Sequence, residues 1–173
     1  MSNLRLINNT SASSVSALNV TDVFNANFDI YKITANVSFP TNEYYMELRF
    51  INSSGSVVSS SNYDSAGLNM FSNTSFSESK ATSDTRARFL AYAGDTVAET
   101  NGAVFYVFNP FSSSSYTFII SQGGTQRTAG VLNMKAISVL KETTSITGFQ
   151  IFGYNNEVMP SPTARTYGLR VDT

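Results

Sequence analysis

The side chains that could do chemistry in this sequence are few, and the absent ones exclude more than the present ones allow. There is no His and no Cys. Without them no imidazole base, Ser-His-Asp or Cys-His relay, thiolate metal site or disulfide can form. Carboxylates, Lys, Tyr, Ser and Thr remain, a set that suits glycoside hydrolysis or carboxylate-metal chemistry. The 12 acidic residues can be weighed individually. Glu43 and Glu47 lie four residues apart on one side of an alternating segment. In a strand that separates them by about 13 Å, beyond the spacing of a glycosidase carboxylate pair. A solvated strand face accounts for them better. Asp22 and Asp29 flank a turn before Ile30, and Asp95 follows Gly94, so each suits turn capping. Nothing matches a calcium loop of alternating Asp and Asn with a central Gly and closing Glu. A calcium ion held by a loop is the weaker alternative, and no metal or cofactor is expected.

Arg86 and Arg88 straddle Ala87 and point the same way if that stretch is a strand. A solvated edge that discourages unwanted sheet pairing explains them better than an acidic partner surface. Gly123-Gly124 reads as a turn, and no Gly-rich phosphate loop precedes a helix. Tyrosines among Asn, Ser, Thr and Gln could bind sugars, although sugar sites often lean on Trp, which is absent. A net charge of -1 gives no positive field for phosphates, so nucleic acid is not an expected partner.

Period-two alternation makes strands of most of the chain. In NEYYMELRFIN, Tyr44, Met46, Leu48 and Phe50 share one face, with Glu43, Tyr45, Glu47 and Arg49 on the other. That is the pattern of a half-buried antiparallel strand. FDIYKITANVSF sets Tyr31, Ile33, Ala35, Val37 and Phe39 against Lys32, Thr34, Asn36 and Ser38, and Pro40 closes it. GAVFYVFNPF is apolar on both faces, as in a strand covered on both sides, and turns at Asn109-Pro110. SSYTFIISQGG carries Tyr116, Phe118 and Ile120 on one face and ends at Gly123-Gly124, so these two segments read as consecutive central strands. Core packing is the default for aromatics placed in this way. AISVLKE, SITGFQIFGY and RTYGLRVD, the last with Tyr167, Leu169 and Val171 in phase, complete the C-terminal half. Weaker segments lie at 4–7, 15–20, 57–70 and 87–92.

These make about nine or ten short strands and no amphipathic helix of three turns. Strands without crossover helices pair antiparallel, so the expected fold class is all-β, an antiparallel β-sandwich with jelly-roll topology. The 173 residues fit one domain. Residues 1–21 are expected as an N-terminal arm or edge segment, and 22–173 as the sandwich. The polar spacers 72–86 and 95–102 are expected to be loops gathered at one end, where they could meet a partner. The first residues lack a signal-peptide apolar run, and no stretch reaches the length of a membrane span, so no membrane partner is expected. Charged residues are only 13%, against 42% hydrophobic, and Ser, Thr and Asn are abundant. Such short polar side chains cost little rotamer entropy when buried against a neighbour, which suits a packing module better than an enzyme.

Several stretches carry a resemblance: SNYDSAGLNMFSN, NGAVFYVFNPFSSSSYTFIISQ, and above all SITGFQIFGY followed by ARTYGLRV. These resemble small virion proteins of tailed bacteriophages, notably phages of cyanobacteria. That family's C-terminal strand pair is matched at Ile146, Phe149, Ile151, Gly153, Tyr167, Gly168 and Leu169. The resemblance spans about residues 20–173 and rests on strand and turn signatures, not site signatures. The intervening GYNNEVMPSPTA departs from it, with Pro160 and Pro162 where relatives more often have a Gly-rich or Asp-containing turn.

The resemblance implies a virion structural protein made in the host cytoplasm. A single compact domain fits a capsid decoration (cement) protein, which would clamp neighbouring capsid subunits as a homo-oligomer, a trimer or dimer at a symmetry point. The alternative is a tail-fibre or receptor-binding module whose loops read a host surface glycan. A carboxylate glycosidase is the third and least supported reading.

Overall fold

Where the alternation is regular the chain forms strand, and twelve strands are present in the computed structural model, which describes residues 3–39, 43–96, 99 and 101–169. They are β1 (Leu4–Ser11), β2 (Ala17–Val20), β3 (Ile30–Val37), β4 (Tyr44–Asn52), β5 (Tyr63–Phe71) and β6 (Ser77–Asp84). The chain continues through β7 (Ala87–Ala93), β8 (Asn101–Phe108), β9 (Thr117–Arg127), β10 (Gly130–Leu140), β11 (Ile146–Gly153) and β12 (Thr163–Leu169). The helical content of the described residues is a single 3-10 turn at Tyr154–Asn156. No helix among them is long and apolar enough to cross a membrane. Pro40 and Val171 lie outside the described residues.

All pairings are antiparallel, in an eight-stranded sheet of order β1-β12-β3-β8-β9-β10-β5-β6 and a four-stranded sheet of order β2-β11-β4-β7. The first four strands of the large sheet, facing the small one, form a jelly roll: the chain crosses between sheets at nearly every connection, so sequence neighbours seldom pair. Two hairpins depart from that plan. β5-β6 is inserted between β4 and β7, and β9-β10 between β8 and β11. They meet at the β5–β10 seam and extend the large sheet beyond β8. β7 lies over the extension, in contact with β5, β9 and β10.

Within residues 1–21, the expected arm or edge segment, Leu4–Ser11 and Ala17–Val20 are strands built one into each sheet. β1 pairs with β12 at one end of the large sheet, and β2 pairs with β11 at one end of the small one. The expected loop at 72–86 is corrected: its middle is β6, held in register on β5 with Leu68 opposite Glu78. Its polar sequence fits an edge strand with little to bury. Of the second spacer, residues 97, 98 and 100 lie outside the described residues, and Asn101 and Gly102 already belong to β8.

The inner faces of β3, β4, β8 and β11 meet in an aromatic core of Tyr31, Phe50, Phe105 and Phe149, with Phe24 from the β2–β3 connection. Each such side chain withdrawn from water contributes about 1.5–3 kcal/mol. The two buried tyrosines keep their hydroxyls paired. Tyr31 stands edge-on to Phe24, with centroids 4.7 Å apart. Its hydroxyl donates to the Asn25 carbonyl at 2.9 Å and accepts from the Asn25 amide at 2.8 Å. The Tyr63 hydroxyl bridges the Phe50 amide and the Val58 carbonyl, at 3.0 and 3.1 Å.

Candidate interaction face

Alternation fixes that a strand has two faces but not which one is buried, and in the extension the faces are reversed from expectation. The inner side of β9 is Thr117, Ile119, Ser121, Gly123 and Thr125, and small polar residues recur on its neighbours as Ser138, Ser65 and Asn69. The Ser65 and Ser138 hydroxyls pair at 2.8 Å. The hydroxyls of Thr117 and Ser121 have no hydrogen-bond partner among the described residues. The outer side carries Phe118, Ile120 and Ile137, which are 40%, 48% and 49% exposed. Core packing of Phe118 and Ile120 is therefore corrected: both face outward. β8 shows the same departure, because its outer Tyr106 is exposed, and nothing in the described chain covers this side of a strand that is apolar on both faces.

Register lines the outer side chains up in rows across the sheet. One row is apolar across five strands, Leu169, Ile30, Phe108, Phe118 and Val139, and ends on β5 at Asp64. The next runs Lys32, Tyr106, Ile120, Ile137, Ala66 and Lys80, apolar in the middle with an ammonium at each end. A third includes Val104, Gln122, Lys135, Leu68 and Glu78. A fourth includes the cross-strand glycines Gly102 and Gly124, with Asn133 beside them. From the second row onward the surface is concave, a basin of about 1430 Å³.

Gly123 and Gly124, read as a turn, are corrected to mid-strand positions in β9 with opposite roles. A Cβ on Gly123 would lie 2.8 Å from Ala91 Cβ and 3.2 Å from Ala103 Cβ. The two sheets touch there through methyl groups. A Cβ on Gly124 would point outward and meet ordinary contacts of 3.6 Å or more, and one on Gly102 would meet only Asn36 Nδ2 at 4.0 Å. These two glycines leave the basin floor bare with no internal packing that demands it.

The carboxylates weighed in the sequence gather elsewhere and apart. Glu43 pairs with Arg127, whose guanidinium lies 4.7 Å from the Tyr92 ring centroid, and the Tyr92 hydroxyl donates to the Glu43 carbonyl at 3.1 Å. Tyr92 sits in β7. Glu47 is only 1% exposed, so its solvated face is corrected: Arg86 and Arg88, supplied by the start of β7, cover it. The Arg86 Nε lies 2.7 Å from Glu47 Oε2 without the alignment of a hydrogen bond, and Arg88 reaches Glu47 at 3.9 Å while also pairing with Asp84. The two arginines thus neither edge the sheet in water nor wait for a partner. Asp22 adopts a left-handed turn, with φ 57°. The Asp29 carbonyl accepts the Asn109 amide at 2.8 Å. Among the described residues no group of three or more acidic side chains gathers as a metal site.

Burial raises the Glu47 pKa above the ordinary carboxylate range, more than the two arginines lower it. Between the unfolded and the raised folded values, the folded chain holds a proton that the unfolded chain has released. Stability contributed through Glu47 therefore falls as pH rises through that window and levels off above it. Urea unfolding between about pH 4 and 8 should show the wild type gaining stability relative to Glu47→Gln as pH falls, by about 1.4 kcal/mol for each tenfold difference in proton affinity. A difference independent of pH would contradict this.

No family model matches the chain, and no curated protein does. Among solved structures, a fructofuranosidase from Schwanniomyces occidentalis complexed with fructosylnystose is similar at TM-score 0.38 and 10% identity, over 95% of this chain and 34% of that one. The chain thus spans about a third of that enzyme's length. A protein of Bacillus endospore appendages, which form disulfide-linked pili, is similar at TM-score 0.24 and 11% identity, over 96% and 88% of the two chains. A xylan-binding domain from Paenibacillus barcinonensis follows at 0.22 and 9%, over 95% and 72%. No argument about function rests on likenesses this loose.

Proposed function

We propose that this chain is a non-catalytic structural component of a tailed-phage virion, a capsid decoration protein that docks the outer face of its eight-stranded sheet on neighbouring capsid subunits. The observation that carries the reading is the extension's outer face: Phe118, Ile120 and Ile137 stand exposed there, while Thr117, Ser121, Ser138 and Ser65 take buried places on the inner face beside Ile119, Leu132, Met134 and Leu140. β8 has the composition of a strand covered twice, and the chain covers it once. Water is a poor second cover for an apolar row five strands wide, and a contiguous patch of this kind marks an interaction surface. The phage setting comes from the sequence resemblance of the β8–β9 and β11–β12 segments. Low surface charge supports it further, since Ser, Thr and Asn surfaces can be buried against a shell with little loss of rotamer entropy.

Particles assembled without this chain should release their DNA at a lower temperature than complete ones, and adding purified chain should restore the difference. If particles lacking it withstand heat and osmotic shock as well as complete particles, the reading fails.

A further inference from the structure

The chain carries a net charge of -1, yet its cations are not evenly spread. It has four lysines, and three of them, Lys32, Lys80 and Lys135, line the basin. The fourth, Lys141, pairs with Asp64. None of the three basin lysines takes part in an ion pair among the described residues, although Arg86, Arg88 and Arg127 all do. One acidic residue, Glu78, shares the basin, which leaves three positive charges against one negative on a net-acidic protein. Between the lysines apolar side chains, chiefly Leu68, Val104, Tyr106, Ile120 and Ile137, are joined by the polar Gln122 and Asn133.

We infer that the basin receives an acidic, apolar-patterned convex element of the neighbouring capsid subunit. The inference rests on the docking reading above and adds the shape and sign of the partner. Basin against basin, as between two copies of this chain, is excluded by the concavity, because two concave surfaces touch only at their rims. Strand addition is excluded as well, since the floor strands β8, β9, β10 and β5 are each paired on both sides. Contact is therefore made by side chains. The six strands from β3 to β6 span about 24 Å, and the four rows about 20 Å along the strands. With the apolar row included, that footprint is roughly 480 Å², a little over half of one side of a standard protein interface. A partner inserting apolar groups over Ile120 and Ile137 would bring carboxylates to Lys32 and Lys80 at the two ends of their row. The bare floor at Gly102 and Gly124 gives its backbone room to approach. Positive charge around a mostly apolar bed sets partner choice and encounter rate more than raw affinity.

The test compares binding to capsid shells freed of this chain, by wild type and by a Lys32→Glu, Lys80→Glu, Lys135→Glu variant, at low and raised salt. Wild-type affinity should fall several-fold as salt rises from about 50 to 300 mM. At low salt the variant should bind at least about 30-fold more weakly, with the matching Lys→Gln variant in between. Equal binding by wild type and Glu variant, or salt-independent binding by wild type, overturns the inference. So does saturable binding of the neutral oligosaccharide maltohexaose that displaces the shell. If the Glu variant fails to fold, the Gln variant and the wild-type salt dependence still decide. A Phe118→Asp, Ile137→Asp variant run alongside separates the two claims. If it loses binding while the lysine variants do not, the acidic partner fails alone; if none loses binding, the docking reading fails too.

Discussion

A Phe118→Asp, Ile137→Asp variant should fold as the wild type does and bind capsid shells at least about 100-fold more weakly, a loss of about 2.7 kcal/mol. Both side chains stand on the outer face, about half exposed, on adjacent strands in the middle of the extension. Their removal opens no cavity in the core, so the cost to the isolated chain is confined to strand preference, about 1 kcal/mol or less at each site. At a docked surface the same changes place two carboxylates where water is excluded, with no designed partner for either. Large losses from a few central apolar side chains are characteristic of protein interfaces. Urea unfolding and shell co-sedimentation on one preparation check both halves. A variant that unfolds early would show that these residues support the fold, and one that binds normally would show that the face is not the docking surface.

The largest effect on stability is expected at Gly123. Replacing it with Val should cost more than about 3 kcal/mol or prevent folding, whereas Gly124→Ala next to it should leave stability unchanged or raise it by up to about 1 kcal/mol. The groups around a new Cβ at Gly123 are Ala91 Cβ, Ala103 Cβ and the Gly102 carbonyl, none of which can rotate away. Relief therefore requires β7 to lift off the large sheet, and with it the cover over β5, β9 and β10. At Gly124 the added methyl enters open basin, and strand backbone favours Ala over Gly. Urea midpoints for the pair measure the contrast directly. Similar losses at both positions would mean that the bare floor serves internal packing rather than an incoming partner.

How far the sequence could be read differs from strand to strand for identifiable reasons. β3 is legible because its apolar residues alternate without interruption and turn inward, and β4 because Met46, Leu48 and Phe50 do so, although Glu47 and Ile51 are buried on its other face. β6 is not: SESKATSD has no apolar face, and it becomes a strand because β5 offers it an unpaired edge, which is a tertiary fact. In β9 the glycines suggested a turn, because Gly usually punctuates chains, while here one lets two sheets touch and the other clears a surface. The sign of the β9 face was equally hidden. Phe118 and Ile120 look like core by composition, and only the position of β7 over Ser121 and Gly123 determines that they are not. Glu47 followed the alternation outward as expected, but its burial depends on arginines about forty residues further along the chain. The candidate face could not be drawn from sequence because it is a set of cross-strand neighbours assembled from seven strands. Its raw material was visible in β8, whose two apolar faces require two covers.

The seam between β5 and β10 has a consequence for the order in which the molecule is completed. It joins residues roughly seventy positions apart, while each hairpin on either side of it closes locally. Loop-closure entropy delays such a pairing until other contacts have brought its ends together, so the two hairpins can form early and still wait for each other. The basin runs from β3 on one side of the seam to β6 on the other, and it exists only after the two hairpins have joined. On the docking reading, an incompletely folded copy would therefore lack the surface by which it is recognised, and incorporation into a larger structure would discriminate finished molecules from unfinished ones.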